Sequence, residues 1–415
     1  MILNRTQRES MLNKIQKLVA EKYFDPYFDE TSWNEIVERH RKLILDAIVP
    51  EVFEKAVAMM LAEVSPSPLA LLSDRTLIAP PSAINASFAV RTIEDQPYWA
   101  FKDVLPGGVA DRAGIKAGDV LLSIGGEPVI PSLSDGLSPH FEMQQHIPIR
   151  ILRGSRQEEV DLIFKTGTPK YKDNPYSEPV ALTTGSRTGN IAYLRVSLFP
   201  GAIGIDFANE LDAIFSGRFK NADRLIVDMR GNPGGGIGAL ALMSYLTADR
   251  RPVGYSKSRA MARKELPPDR LPIFDRIPRS KLVLPMLVLK YLGKTSIFLY
   301  TEALGHRPWH GRTVLLVDEH TAGAAEMVAQ FAQENRLATI AGMKTPGRLV
   351  TRRASRLGYG YQLVIPIAAY VSAQGARIEG MGITPDVSLP WSFADADAGK
   401  DAQLEGAVEL LHASG

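Results

Sequence analysis

The chain has 415 residues, 45% hydrophobic and 23% charged, with a net charge of +2 and no cysteine. That length is too great for a single hydrophobic core, so two or three domains are expected. The composition is that of an ordinary globular protein. The small net charge supplies no broad field for nucleic acid or membrane lipid, and the lack of Cys excludes disulfides, Cys-based zinc sites and a thiol nucleophile.

The opening residues, MILNRTQRESMLNKIQ, have neither the apolar core nor the cleavage site of a signal peptide. The longest apolar stretch, residues 282–292, is too short to span a membrane and is interrupted by Pro285 and Lys290. As written the chain reads as cytoplasmic, or as extracytoplasmic where an export signal has been removed. Residues 1–75 read as a helical module. Leu12, Ile15, Leu18 and Val19 share one helical face, and Asp25-Pro26 ends that helix. A second helix is expected over 33–49. Pro50 suits the first position of a third, which carries Val52, Phe53, Val57, Met60 and Leu61. Nothing here points to chemistry. Residues 65–68 (SPSP) read as a linker.

Residues 85–168 change character, with short apolar strands alternating with Gly/Pro turns. In VLPGGVADRAGIKAGDVLLSIGGEPV (104–129), a Pro-Gly-Gly turn leads into a one-turn helix ending at Gly114. A strand then runs over 120–124 and Gly125-Gly126 closes a hairpin. Further strands are expected over 147–152 and 160–164. This run resembles a PDZ domain of the bacterial protease type, which implies a groove where an extended peptide adds as a strand. A polar segment over 166–179 reads as a linker.

From about residue 189, helices and strands alternate. Strands are expected over 190–196 and 225–228, a helix over 203–215 and another over 239–245. Between the last two lies the glycine loop GNPGGG at 231–236. A glycine loop after a buried strand exposes backbone N–H groups with no Cβ in the way. A phosphate cradle is excluded because no Gly-Lys-Ser/Thr follows and Pro233 removes an N–H, so an oxyanion hole fits better. Residues 260–310 are basic and Pro-rich and read as a lid or insertion. VDEHTAGAAEM (317–327) follows an apolar strand and opens a helix expected to begin near Ala322. Such an elbow presents one residue, Gly323, where unpaired N–H groups and the helix dipole favour a nucleophile or developing oxyanion. Beyond it come a strand over 338–341, TPGR at 345–348, a strand pair over 363–367 and 369–371, the turn EGMGITPD (379–386) and a C-terminal helix.

In order, GNIAYLRV, IVDMRGNPGG, VLLVDEHTAGAAEMVAQF, GMKTPGRLV and EGMGITPDV resemble the S41 peptidases, which include the C-terminal processing proteases and the tricorn core. The likeness covers about 189–390. It implies a multidomain α+β chain: an N-terminal helical module (1–75), a PDZ-like β domain (85–168) and a ClpP/crotonase-like β-α core (180–415). It also implies hydrolysis of peptide bonds by a serine, often near a substrate C-terminus, with no metal or other cofactor. Residue by residue, the serine position is Gly323 and the lysine general-base position is Arg348, 25 residues on. The supporting-glutamine position is Arg352. The tricorn branch's His position is Ala192, and its glutamate is matched by Glu379. By the same analogy the oxyanion amides are those of Gly235 and Ala324. Arginine keeps its proton at ordinary pH and cannot serve as general base.

Three readings follow. The chain is a homologue that binds peptides without cutting them; or another hydroxyl acts, with Thr321, Ser355 and Ser372 as candidates and His320 beside the elbow; or the two amides polarise an acyl carbonyl as in crotonases, with Glu326 or Glu379 as acid/base. His306 and His310 are separated by Pro308 and form no metal-binding pair on a helix. Arg348, Arg352, Arg353 and Arg356 form a basic cluster suited to a substrate carboxylate. Tyr359 and Tyr361 alternate as in a strand and are candidates either for lining a cleft or for half-buried strand positions. The expected partner is a peptide or protein C-terminal segment, not nucleic acid.

Overall fold

A computed structural model describes residues 2–64, 69–73, 78–79, 84–131, 138–139, 141–142, 146–164, 179–201, 203–292, 294, 296–304 and 309–413. The expected linkers at 65–68 and 166–178, and His306, lie outside the described residues.

One sheet organises the C-terminal half. Its strands run in the order Leu182–Arg187, Ile191–Val196, Arg224–Asp228, Arg312–Val317, Thr339–Gly342, Val387–Ser388. Only the first pair is antiparallel; the other four pairings are parallel. Parallel neighbours need crossovers, which places helices on the faces and buries the strands. Side-chain alternation then divides the core. Leu194, Val196, Leu225, Val227, Leu315 and Val317 face the helices Ile205–Ala213, Ala239–Tyr245 and Ala324–Glu334. Ile191, Tyr193, Ile226, Val314 and Leu316 face the C-terminal helix Ala402–Ala413 through Ala407 and Leu411.

A second sheet is built around the long strand Tyr361–Ser372, which pairs with Val350–Gly358 on one edge and with Ala70–Leu72 and Pro252–Ser258 on the other. The sequence led to two short strands here. The structure has one, because the ladder shifts register between Thr351 and Arg352, opposite Pro366, and a bulge tolerates the missing N–H. Residues 260–310 are not merely irregular: Ile273–Phe274 and Phe298–Tyr300 extend this sheet, and Leu284–Tyr291 is a helix. The expected helix over 203–215 ends at Ala213 and continues as a π turn, Ile214–Arg218.

The N-terminal helices Arg5–Lys22, Glu30–Asp46 and Pro50–Ala62 pack on one another and on Leu357, Tyr361, Leu363 and Ile365 of the second sheet. Asn4 caps the first in a capping box with Gln7, and Asp29 caps the second. A separate antiparallel sheet, Ala86–Ile93, Gln96–Val104, Val120–Ile124, His146–Arg153 and Arg156–Ile163, encloses its own core of Phe88, Trp99, Phe101, Leu121 and Ile149. This small β unit rests directly on the elbow. Lys102, 4% exposed, reaches both Glu319 carboxylate oxygens at 2.6 Å, and the His320 Nε2 lies 3.0 Å from the Phe88 carbonyl. Among the described residues no helix is long and apolar enough to cross a membrane.

Candidate active site

The elbow forms where the buried strand Arg312–Val317 ends and the helix Ala324–Glu334 begins, two residues later than the sequence suggested. Gly323 is the cap, at φ +60° and ψ −125°, a conformation residues with a β-carbon rarely adopt. A β-carbon built there would lie 3.3 Å from the Pro233 carbonyl oxygen, 3.4 Å from Gly234 Cα and 3.9 Å from the Arg348 carbonyl oxygen. The position is therefore walled by the glycine loop on one side and by 345–348 on the other.

The glycine loop is fixed by Asn232, which is fully buried. Its side chain donates to the Val196 carbonyl at 2.8 Å and accepts from the Gly234 N–H at 2.7 Å, while its carbonyl accepts from the Ala322 N–H at 2.8 Å. Close approach explains the glycines. A β-carbon on Gly234 would stand 2.8 Å from the Ala324 nitrogen, and one on Gly235 would stand 2.0 Å from the Phe199 carbonyl oxygen. Among the described residues neither the Gly235 N–H nor the Ala324 N–H has a hydrogen-bond acceptor. Gly235 is exposed, and Ala324 opens an eleven-residue helix. An unpaired N–H at a helix N-terminus, such as that of Ala324, favours an oxygen carrying negative charge.

The other wall is held by Glu326, fully buried. Its carboxylate accepts four hydrogen bonds: from Thr345 Oγ1 (2.5 Å), Gly347 N–H (2.7 Å), Arg348 N–H (2.8 Å) and Gly323 N–H (3.1 Å). Burial pushes this carboxyl above its usual range, against the pull of those four donors. Glu326 is thus a tie between elbow and loop, with its oxygens occupied, and the acid/base role considered for it does not fit this geometry. Glu379 sits just beyond, accepting the Leu349 N–H at 2.6 Å. Arg348 is exposed, and its guanidinium has no ionic partner among the described residues.

The alternative hydroxyls are placed elsewhere. Thr321 is fully buried, with its hydroxyl in reach of the Met229 carbonyl (2.9 Å) and the Asp318 carboxylate (3.0 Å), one of which takes its single proton. Ser372 is bonded to Glu334 at 2.7 Å, beside the far end of the elbow helix. Ser355 lies in the second sheet, opposite Leu363. Arg352, Arg353 and Arg356 are exposed on the strand that leaves the 345–348 loop. Tyr361 does not line a cleft: it is 3% exposed, in the core under the N-terminal helices, with its ring 5.7 Å from that of Phe53. Tyr359 occupies the hairpin turn at φ +54°. Ala192 is buried in the core sheet. Among the described residues no cluster of three or more His, Cys, Asp or Glu could hold a metal ion.

Sequence reasoning missed the charged floor behind the glycine loop. Asp228, fully buried, accepts from Tyr193 (2.9 Å) and Arg230 (2.7 Å), and Arg195 stands 3.6 Å away. Burial would raise the Asp228 carboxyl, but Arg230 and Arg195 outweigh it and hold it well below the usual range. Arg195 also pairs with Asp103 of the small β unit, and Arg230 with Asp401 at 2.8 Å. The only signal in the sequence was an Asp-x-Arg at a strand end, which ordinary surface chains also show.

A mostly parallel sheet with a strand–helix elbow is joined to a small antiparallel β unit. Residues 190–389 match the model of peptidase family S41 and residues 101–136 that of the PDZ domain. Residues 190–389 are therefore an S41 peptidase domain, with a PDZ domain ahead of it. The chain is 25% identical over 423 residues to the carboxyl-terminal-processing protease of Picosynechococcus sp., covering 98% of this chain and 90% of that one. It is 24% identical over 328 residues to a carboxy-terminal processing protease of Bacillus subtilis, covering 75% and 60%. The structure of a photosystem II D1 C-terminal processing protease shares the fold, with a TM-score of 0.56 at 17% identity over 97% of each chain.

Proposed function

We propose that this chain is a C-terminal processing protease relative that grips an extended peptide at the elbow but does not cleave it by the serine mechanism of its family. The observation that carries this reading is that Gly323, a residue with no side chain, is followed by the acceptor-free Ala324 amide and walled by the glycine loop that carries the acceptor-free Gly235 amide. The amides supply a seat for a peptide carbonyl, and the nucleophile that would attack it is absent. Arg348 at the base position supports the same conclusion, since a guanidinium does not take up a further proton. Glu379 retains a place beside the loop as a positioning group. The domain division 1–75, 85–168 and 180–415 belongs to this proposal. So does a partner that is a peptide or protein C-terminus, met by the PDZ groove and by the arginines of the 348–356 strand.

The test is a paired assay on the full chain. Fluorescence anisotropy with C-terminal peptides should report binding, while a quenched unfolded protein and a fluorophosphonate probe should report neither cleavage nor labelling. Labelling of any serine, located by mass spectrometry, overturns the proposal in favour of a different nucleophile. Absence of both binding and cleavage overturns it altogether.

A further inference from the structure

One helix leaves an apolar face uncovered. The helix Leu284–Tyr291 continues a short 3-10 turn, Lys281–Val283. One face is accounted for: Leu284, Leu287 and Tyr291 pack against the main core, and the Tyr291 hydroxyl donates to the Ile273 carbonyl at 2.6 Å. The opposite face is also apolar and is open. Leu282 is 90% exposed, Leu289 73%, Leu292 70% and Met286 68%, with Val288 and Ile273 beside them. Residues 282, 286 and 289 recur at helical spacing, so they form one stripe rather than scattered exceptions. A helix apolar on both faces has a second apolar surrounding to meet.

The charges around the stripe select what that surrounding is. Residues 270–294 contain six Lys and Arg against one Asp, a net +5 in a chain whose total is +2. Arg276, Arg279 and Lys281 are paired with Glu302, Asp212 and Asp206. Arg270, Lys290 and Lys294 are exposed and make no ion pair among the described residues. The low overall charge of the chain hides this concentration. A second copy of the chain seated on the same face would bring these cations against themselves. A surface with an apolar interior and anionic headgroups meets both features.

We infer that the face carrying Leu282, Met286, Leu289 and Leu292 docks this protein peripherally on an anionic lipid surface, with Arg270, Lys290 and Lys294 at headgroup level. The test is co-sedimentation of the full chain with vesicles of phosphatidylcholine alone and of phosphatidylcholine mixed with phosphatidylglycerol. Binding is expected to the mixed vesicles only and to weaken as salt is raised. Leu282→Asp with Leu289→Asp should weaken it by about tenfold or more, and Lys290→Glu with Lys294→Glu several-fold. All four side chains are solvent-exposed, so thermal unfolding of both variants should match that of the parent. The inference is overturned if the mixed vesicles do not retain the parent, or if both variants bind as the parent does. It is also overturned if sedimentation velocity shows a parent dimer that the Leu282→Asp/Leu289→Asp pair dissociates, since a second copy then covers the stripe.

Discussion

The carbonyl oxygen of Arg348 lies 3.9 Å from the point where a β-carbon on Gly323 would stand, and the Arg348 N–H is bound to Glu326 three residues along the elbow helix. Two positions 25 residues apart in sequence are thus fixed against each other through backbone atoms, whatever side chains they carry. This makes Gly323→Ser informative. Its nearest contacts, 3.3 and 3.4 Å, admit a β-carbon with little adjustment. The left-handed backbone would cost about 1–3 kcal/mol once a side chain is present. We expect a folded, slightly destabilised variant that does not cleave peptides alone, and a gain of cleavage and of fluorophosphonate labelling at residue 323 when Arg348→Lys is added. A fluorogenic peptide assay on parent, single and double variants checks it.

Glu326 should be a stability determinant rather than an acid/base group. Glu326→Gln keeps the shape but turns one carboxylate oxygen into a donor facing two of the four donors, either Thr345 and the Gly347 amide or the Gly323 and Arg348 amides. Charge-assisted hydrogen bonds contribute about 1.5–3 kcal/mol each, and an orphaned donor costs a similar amount. A loss of roughly 3 kcal/mol or more is expected in urea unfolding. Peptide binding should weaken in parallel because the loop that walls the elbow is released.

The parts of this site legible in the sequence were those that depend on backbone. The GNPGGG loop and the small residues around Gly323 announce close approach, and close approach is what the 2.0 Å and 2.8 Å β-carbon clashes at Gly235 and Gly234 express. What Glu326 holds was not legible, because its partners at 345–348 come from a loop beyond the next strand. Nor was the seating of the PDZ domain, since Lys102 meets residues more than 200 positions away. The sequence leaves Tyr361 open between cleft and half-buried strand because alternation does not say which face is covered. The N-terminal helices, more than 300 residues earlier, decide that it is buried.

Acid should draw on the stability that Asp228 contributes, although in the folded chain this carboxyl is among the last to protonate. Its carboxyl is held far below the value it has in an unfolded chain, so its contribution to stability is fully present above the ordinary carboxylate range and is lost as pH falls toward the folded value. Asp228→Asn leaves Arg195 and Arg230 facing one fewer carboxylate and should cost about 3–5 kcal/mol near neutrality. The gap between parent and variant should narrow as pH drops below about 4. Chemical denaturation at a series of pH values measures it, and a gap that stays constant would contradict the assignment.

Arg348→Ala with Arg352→Ala tests how the peptide is held. Both side chains are exposed and unpaired among the described residues, so the fold should not notice their loss. Affinity for C-terminal peptides should fall several-fold, with a weaker dependence on salt, because the lost contacts are charge-assisted. Peptides amidated at the C-terminus should show little difference between parent and variant. Equal affinity for the free carboxylate would remove these arginines from the binding surface.

The PDZ domain is tied to the elbow through Lys102, which is 4% exposed and lies 2.6 Å from Glu319 and 3.5 Å from Asp318. Asp318 in turn accepts from the Gly231 N–H (2.9 Å) and Thr321 (3.0 Å), so the same carboxylates brace the start of the glycine loop. Burial alone would raise the Asp318 carboxyl, but Lys102 and the hydrogen bonds hold it below its usual range. Lys102→Met therefore removes the cation that two carboxylates share and should cost about 3–5 kcal/mol. Glu319, partly exposed, should cost less when changed to Gln. A double-mutant cycle of Lys102→Met and Glu319→Gln should give a coupling of about 1–3 kcal/mol, and hydrogen exchange should quicken at 318–323 in the Lys102 variant. A coupling near zero would mean that Asp318 alone holds Lys102, and that the PDZ domain bears on the elbow through the loop's base rather than through its outer edge.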